Sequence, residues 1–246
     1  MVFRTAALLV LLAALGACDR PAPINQPPIL LFAGNGTSTG DVAAVEQILK
    51  DSHLQYSTAT SRQLNGMSTT ELMAYRLMVV PGGNFIDMAG SLSKSTTTNI
   101  HDAVQAGLNY LGICAGAFLA GDGRDYYNSV NLTSGVRFGF YSAEWRGIRK
   151  AAVAIIAVNA STIEHYWEDG PELAGWGAVV GKYPDGAPAI VEGLSGKGWV
   201  ILSGVHPEAP ETWRRGMSFS TPAGVANAYA GTLVQAALQG ISLPHY

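Results

Sequence analysis

Cys114 is the residue whose setting most suggests chemistry. It lies in the segment Gly112-Ile113-Cys114-Ala115-Gly116, with a glycine two positions before it and another two positions after it. Such glycines suit a sharp strand-to-helix turn that directs the central side chain outward, and the start of a helix favours a thiolate over a thiol. We therefore interpret Cys114 as a nucleophile. The alternative is a small buried side chain that fills the core.

A cysteine nucleophile needs a base, and His206 is the best placed of the five histidines. It directly follows an apolar, strand-like run, and Glu208 comes two residues later. Pro207 between them restricts the backbone, so both side chains can project from one loop. By the general logic of such triads, Cys114 attacks, His206 takes and returns the proton, and Glu208 holds the imidazole.

Backbone N–H groups near the cysteine could stabilise a negatively charged reaction intermediate. Gly82 and Gly83 follow the run Val79-Val80-Pro81, and glycines let N–H groups approach a substrate oxygen without obstruction by side chains. The N–H of Ala115 is the natural second donor. We predict an oxyanion hole formed by Gly82, Gly83 and Ala115.

Further residues are candidates for substrate contact. The 34–40 loop could cradle a phosphate, but its glycine spacing fits neither a dinucleotide fingerprint nor a P-loop, which favours a tight turn that lines the pocket. Aromatic residues near 166 could form a substrate wall or, alternatively, anchor the core or a loop. The predicted substrate-binding residues are Gly36, Thr37, Ser38, Asn84, Tyr166 and Trp167.

The elements that must position these residues alternate between strand-like and helical patterns. Strands are predicted at 29–33, 54–58, 77–80 and 108–113, and helices at 42–50, 70–75, 98–106 and 222–238. Apolar strands separated by helices indicate a parallel sheet covered on both faces, and functional groups gather at the carboxyl ends of such strands. Cys114 stands at one such end.

The second half of the chain has a different pattern. Strand-like runs at 153–158, 177–183, 189–192 and 199–203 have few helices between them, and residues 183–186 and 194–198 have the composition of turns. These features predict antiparallel hairpins. The predicted fold class is therefore α/β, with a doubly wound, mostly parallel, flavodoxin-like sheet and antiparallel hairpins in the C-terminal half.

The first 28 residues predict export. Arg4 precedes an apolar run at 6–15 that is too short to span a bilayer, and Leu15-Gly16-Ala17-Cys18 resembles a bacterial lipobox. The resemblance implies a signal peptide at 1–17, lipidation of Cys18, a proline-rich tether at 18–28 and a folded domain at 29–246. The alternative is an ordinary secretory peptide followed by a chance cysteine. A lipidated Cys18 leaves Cys114 without an intramolecular disulfide partner.

These features predict a lipid-anchored protein of the bacterial cell envelope. Asp19, directly after the cysteine, resembles the inner-membrane retention signal of enterobacterial lipoproteins, which implies the periplasmic face of the inner membrane. The net charge of −3 argues against nucleic acid as a partner, because binding phosphates requires clustered Lys and Arg. His53, His101 and His165 have no Cys or second His at metal-ligand spacing, so we predict no metal site. No cofactor is predicted, and the expected partners are the membrane and a small-molecule or peptide substrate.

Three segments together resemble a known superfamily. PGG at 81–83, GICAG at 112–116 and HPE at 206–208 occur in the order seen in class I glutamine amidotransferase-like proteins. Residues 36–38, 166–171 and 203–208 are more closely similar to the amidotransferase-like domain found at the N-terminus of eukaryotic biotin-protein ligases and in stand-alone bacterial proteins. The resemblance covers about 29–238 and implies an amidotransferase-like fold.

The chain departs from the superfamily in one place that concerns the substrate. Glutamine-hydrolysing members usually have Gln or His shortly after the glycine that follows the cysteine, whereas this chain has Ala117-Phe118. No biotin-ligase catalytic domain is recognised, so biotinylation is not implied. Two hypotheses follow: an exported Cys-His-Glu hydrolase that cleaves an amide or related acyl bond through a thioester, or a non-catalytic binding domain with the same fold. A plainer third possibility is an envelope scaffold.

Overall fold

The computed structural model describes residues 27–141, 149–157 and 162–246. The predicted signal peptide at 1–17, Cys18 and all but the last two residues of the predicted tether lie outside the described residues. Within the described ranges, no helix is long and apolar enough to cross a membrane.

The described residues form eleven strands and seven helices in an alternating order. The strands are β1 (Ile29–Phe32), β2 (Tyr56–Ala59), β3 (Leu77–Val80), β4 (Asn109–Ile113), β5 (Gly139–Phe140), β6 (Lys150–Ala157), β7 (Thr162–Glu168), β8 (Pro171–Glu172), β9 (Ala178–Lys182), β10 (Pro188–Ser195) and β11 (Gly198–Ser203). The helices are α1 (Thr39–Asp51), α2 (Ser61–Asn65), α3 (Thr69–Leu72), α4 (Phe85–Ser91), α5 (Lys94–Ala106), α6 (Ala115–Ala120) and α7 (Ala223–Gln239).

Nine strands form the central sheet in the order β2-β1-β3-β4-β11-β10-β9-β6-β7, and β5 pairs with β8 in a small separate sheet. The first five strands of the central sheet are parallel to one another. Strands β1 and β3 are buried on both faces, as expected for a parallel sheet that helices cover on each side. The predicted doubly wound α/β fold is confirmed.

The strand register brings three loops to one place. Val80 of β3 pairs with Gly112 of β4, and Gly112 pairs with Leu202 of β11. These three parallel strands therefore end at the same edge of the sheet. The segments that follow them, beginning at Pro81, Cys114 and Gly204, must meet there.

The predicted antiparallel half is also confirmed. Strands β10 and β11 form a hairpin in which Ser195 pairs with Gly198, and β9, β6 and β7 extend the sheet with antiparallel pairing. Gly196 in the β10–β11 turn has a φ of 61°, the left-handed region that glycine adopts readily. The sheet changes from parallel to antiparallel at β11, whose carboxyl end leads to His206.

Alternating side chains divide the interior into two cores. Leu30 and Phe32 of β1 pack with buried residues of the layer that contains α2 to α6. Ile29 and Leu31 point to the opposite face, where they join buried residues of α1 and α7. The long helix α7 has alanine and leucine at its buried positions and ends at Gly240, which adopts a left-handed conformation.

The main differences from the predicted elements are strand β7, which was not predicted, and several short or polar helices. Helices α2 and α4 were not predicted, and α5 begins at Lys94 rather than at residue 98. The first turn of α5 is a polar serine and threonine run capped by the Ser93 side chain, so apolar periodicity does not mark its start. Helix α4 begins directly after the Pro81-Gly82-Gly83 segment because the side chain of Asn84 caps it.

Candidate active site

Cys114 occupies the sharp turn between β4 and α6. Its φ of 49° and ψ of −105° are unusual for a residue with a side chain. Its N–H donates to the carbonyl of Ser203 at 2.7 Å, and its own carbonyl accepts hydrogen bonds from Ala117 and Phe118 at the start of α6. The conformation is therefore fixed from both sides, by strand β11 and by helix α6.

The two glycines that flank Cys114 are required by close packing. A Cβ on Gly112 would lie 2.6 Å from the carbonyl oxygen of Gly116, and a Cβ on Gly116 would lie 2.0 Å from the carbonyl oxygen of Val80. Real Cβ atoms do not approach carbonyl oxygens so closely. The glycine spacing in the sequence therefore reflects the tight contact between α6 and the ends of β4 and β3.

His206 and Glu208 lie together beneath this turn. The Nδ1 atom of His206 is 2.9 Å from Oε1 of Glu208, and both side chains are almost completely buried. The backbone N–H of His206 donates to the carbonyl of Tyr166 at 2.8 Å. Because Nδ1 faces carboxylates, the Nε2 side of the ring is the one available to the Cys114 sulfur, with which the imidazole interacts.

Asp41 is a site residue that the sequence analysis missed. Its Oδ1 lies 3.1 Å from Nδ1 of His206, so two buried carboxylates face one ring nitrogen. A single N–H can point at only one of them, and Oδ1 of Asp41 is left without a hydrogen bond. An acidic residue in the first turn of a helix is common for helix-dipole reasons alone, so the sequence around Asp41 carried no distinctive signal.

The charges in this cluster shift the pKa values in opposite directions. Burial would lower the pKa of His206, but the charges of Cys114 and Glu208 and the close contact with Asp41 outweigh it, so the pKa lies well above 6.5. Burial raises the pKa of Glu208. Burial opposes ionisation of Asp41 as well, yet hydrogen bonding and attraction to His206 lower the pKa of that carboxyl below 3.8. The cluster therefore favours a protonated imidazole beside an ionised Asp41.

Of the three predicted oxyanion donors, Gly83 and Ala115 lie at the cavity that contains Cys114, and Gly82 does not. Hydrogen bonds from Ser38 to Gly82 and from Asn84 to Gly36 flank the pair Thr37 and Gly83. In that pattern the N–H of Gly83 points away from Thr37. Gly83 and Ala115 both line the cavity that also contains Cys114, which we call the main cavity.

Gly82 does not line the cavity, and its lack of a side chain serves packing. A Cβ there would lie 2.0 Å from Oδ1 of Asp41 and 2.6 Å from Cε1 of His206. Any other residue at this position would displace the imidazole or its second carboxylate.

The main cavity has a volume of about 660 Å³ and opens over the Cys114 turn. The lining of this cavity contains both charged and apolar side chains. The lining residues are Ser38, Asp41, Gly83, Asn84, Phe85, Ile86, Cys114, Ala115, Phe118, Phe140, Arg149, Glu168, Asp169 and His206.

Of the predicted substrate-binding residues, Ser38 and Asn84 line the cavity. Both also cap helices, since Ser38 accepts from the N–H of Asp41 and Asn84 from the N–H groups of Ile86 and Asp87. The structure does not bring the other four to the cavity wall. Gly36 and Thr37 form the tight turn behind it, Tyr166 packs edge-on against His206, and Trp167 is fully buried in the core.

Aromatic rings enclose His206. The rings of Tyr166 and Trp213 lie 5.7 and 5.8 Å from the imidazole, centroid to centroid. The Tyr166 hydroxyl donates to the carboxylate of Glu168, whose backbone carbonyl lies 3.6 Å from the Cys114 sulfur. Aromatic packing keeps water from the imidazole, which strengthens its interactions with the carboxylates.

Asp41, His206 and Glu208 also have the composition of a metal-binding group, because their donor atoms all lie within 4.8 Å of one another. The Nδ1–oxygen distances of 2.9 and 3.1 Å are ordinary lengths for N–H···O hydrogen bonds. The arrangement is explained by an imidazole held by carboxylates. That the protein needs no metal remains a prediction.

Comparisons with known proteins agree with this architecture. Residues 28–149 match the family described as the N-terminal part of biotin-protein ligase. The biotin–protein ligase of Schizosaccharomyces pombe is 27% identical over 159 aligned residues, and the match covers 54% of this chain and 25% of that protein. The chain thus spans about a quarter of the length of this curated relative.

Solved structures share the fold at low sequence identity. A glutamine amidotransferase has a TM-score of 0.56 and 17% identity, with 74% of this chain and 90% of that chain covered. An exo-β-1,4-mannosidase from Opitutaceae bacterium strain TAV5 has a TM-score of 0.55 and 15% identity over 85% of this chain and 36% of that one. A β-galactosidase from Halorubrum lacusprofundi has a TM-score of 0.51 and 16% identity, with 89% of this chain and 31% of that chain covered. These similarities describe the fold and not a shared reaction.

Proposed function

We propose that this chain, which has a glutamine amidotransferase-like fold and a biotin-protein ligase N-terminal domain over residues 28–149, is an exported cysteine hydrolase. It cleaves an amide or related acyl bond through a thioester on Cys114. The observation that carries the proposal is the strained Cys114 turn beside an imidazole whose other nitrogen faces two buried carboxylates.

The reaction begins when the sulfur of Cys114 attacks the substrate carbonyl carbon. The carbonyl oxygen becomes negatively charged and accepts hydrogen bonds from the N–H groups of Gly83 and Ala115. His206 donates a proton to the leaving amine, the carbon–nitrogen bond breaks, and a thioester remains. His206 then takes a proton from water, the hydroxide attacks the thioester, and the acid leaves as the thiolate is released.

The carboxylates support this chemistry by stabilising the imidazolium. A cationic His206 next to the sulfur stabilises the negative charge of the attacking thiolate and can supply the proton that the leaving group needs. Glu208 accepts the Nδ1–H and fixes the ring orientation, while Asp41 adds a second negative charge at the same nitrogen.

The first test is alkylation of Cys114 by iodoacetamide in the full chain carrying Cys18→Ser, in which Cys114 is the single thiol. We expect a rate at neutral pH that falls at least about tenfold in His206→Ala, because the imidazolium stabilises the thiolate. Intact-mass spectrometry measures the rate. His245→Ala, which removes an exposed histidine outside the cavity, is the matched control.

Slow alkylation that is unchanged in His206→Ala would contradict the proposal and favour the core-filling interpretation of Cys114. The second candidate function is a non-catalytic binding domain with the same fold. Release of product that depends on Cys114, measured with amide and ester substrates, would exclude it.

We also propose that lipid on Cys18 anchors the domain to the cell envelope, on the strength of the lipobox-like segment Leu15-Gly16-Ala17-Cys18. When the full chain is expressed in a Gram-negative bacterium, we expect the membrane-extracted protein to lack residues 1–17 and to carry the added mass of acyl chains. Cys18→Ser should abolish the added mass and the membrane association. Cys114→Ser is the control and should keep both, and an unmodified wild-type Cys18 would refute the anchor.

A further inference from the structure

The apolar side of the main cavity is built by three phenylalanines that pack together. The rings of Phe85 and Phe118 are stacked with centroids 4.5 Å apart, and Phe140 lies 5.0 Å from Phe118 and 6.1 Å from Phe85. Ile86 extends this surface at the mouth of the cavity. We call Phe85, Ile86, Phe118 and Phe140 the apolar wall.

Two members of the wall remain open to solvent. The exposed fraction is 48% for Ile86 and 40% for Phe140. Large apolar side chains exposed together at the rim of a cavity are typical of a surface that a ligand covers. A second cavity of about 270 Å³ lies against the same three phenylalanines, so apolar lining continues beyond the main cavity.

The chain fixes the wall next to the reacting atoms. Phe118 lies three residues after Ala115 in the short helix α6, and Phe85 lies two residues after Gly83 at the start of α4. The segments that would hold the substrate carbonyl oxygen therefore also carry the wall. An acyl group whose carbonyl carbon lies at Cys114 must place its own side chain close to these rings.

The wall offers no partner for a polar acyl group. Its four side chains contain no hydrogen-bonding atoms. The neighbouring Asn84 uses its Oδ1 to accept from the N–H groups of Ile86 and Asp87, so it can offer a carboxamide only its side-chain N–H₂. The charged residues Arg149, Glu168 and Asp169 also line the cavity, and Arg149 pairs with Asp169. A carboxamide buried against the wall would lose its hydrogen bonds with water without replacement.

We infer that the site accepts acyl donors with an aromatic or aliphatic group next to the scissile carbonyl and rejects donors with a carboxamide there. This inference rests on the proposed function, since it assigns the substrate class of the same Cys114 site. The apolar group packs on Phe118 and Phe140 while the carbonyl oxygen faces Gly83 and Ala115.

Two chloromethyl ketones test the inference without requiring turnover. One carries a phenethyl group, and in the other a carboxamide replaces the phenyl ring. In each reaction the Cys114 thiolate displaces chloride, forming a carbon–sulfur bond to the methylene carbon. In the full chain with Cys18→Ser, we expect the phenethyl reagent to react at least about tenfold faster after correction for the intrinsic reactivity of the two reagents.

Variants of the wall distinguish packing from general reactivity. Phe140→Gln should lose most of the phenethyl preference, and its partly exposed position favours folding. Phe118→Leu should keep the preference because the wall stays apolar. Leu194→Gln makes a similar change at a side chain that is 62% exposed and outside the cavity lining, so it should behave as the wild type.

Iodoacetamide separates failure of this inference from failure of the proposed function. Equal rates for the two ketones, with fast and His206-dependent alkylation by iodoacetamide, would overturn the apolar preference alone. A phenethyl preference with slow, His206-independent alkylation would support the apolar site and overturn the hydrolase. A preference that survives unchanged in Phe140→Gln would show that the wall does not cause it.

Discussion

His206 is held by two carboxylates that differ in charge and in geometry. Glu208 lies at the shorter distance from Nδ1 and accepts the hydrogen bond, but burial raises the pKa of its carboxyl. Asp41 accepts no hydrogen bond there, yet interaction with His206 lowers the pKa of its carboxyl despite burial. Glu208 therefore orients the ring, and the charges of Cys114 and Glu208, with a further contribution from Asp41, keep His206 protonated.

This division of roles predicts the effect of Asp41→Asn. Removing the charge should lower the pKa of His206, because a nearby negative carboxylate stabilises the imidazolium. A larger fraction of neutral imidazole stabilises the thiolate less, so iodoacetamide alkylation should slow. The NMR titration of the His206 ring measures the shift, with His206→Ala identifying its signal among the histidines.

Asp87→Asn is the matched control, because Asp87 also lies in the first turn of a helix but does not line the cavity. It should leave the His206 titration unchanged. An unchanged titration in Asp41→Asn as well would mean that Glu208 alone determines the protonation of the imidazole.

At the scale of elements, the sequence was most informative where chain continuity fixes position. Gly112 and Gly116 around Cys114, and His206 after an apolar strand, predicted that these residues follow strands, and parallel strands β3, β4 and β11 bring their ends together. The antiparallel hairpins followed from turn chemistry at 183–186 and 194–198. Local signals of this kind do not depend on distant contacts.

The residues that sequence reasoning missed depend on contacts between distant segments. Asp41 reaches His206 only because Gly82 leaves space between α1 and the loop after β11. Phe140 joins Phe85 and Phe118 across three separate elements. Conversely, Trp167 lies in a run of three buried residues on β7 and packs edge-on against Tyr141 in the core, a contact between distant segments that local sequence does not indicate.

The whole molecule joins a parallel half that carries Cys114 to an antiparallel half that contains a second buried histidine. His165 on β7 is completely buried, and neither ring nitrogen has a hydrogen-bond partner among the described residues. It packs against the ring of Tyr229 on α7, so β7 and the long helix enclose it. Burial, with a smaller contribution from the charge of Arg214, lowers the pKa of His165 to about 3.

This depressed pKa makes His165 a source of acid sensitivity. Above pH 6.5 the residue is neutral in both folded and unfolded chains, but below it the unfolded chain takes up a proton that the folded chain excludes until about pH 3. Between pH 7 and 5 the wild type should therefore lose about 2 kcal/mol of unfolding free energy through this residue. His165→Leu should remove that loss, because leucine has no group that binds a proton. Urea unfolding at pH 5, 6 and 7 measures the difference, with the exposed His245→Leu as the control.

Equal pH dependence in the wild type and His165→Leu would mean that water or a rearranged partner satisfies the buried imidazole.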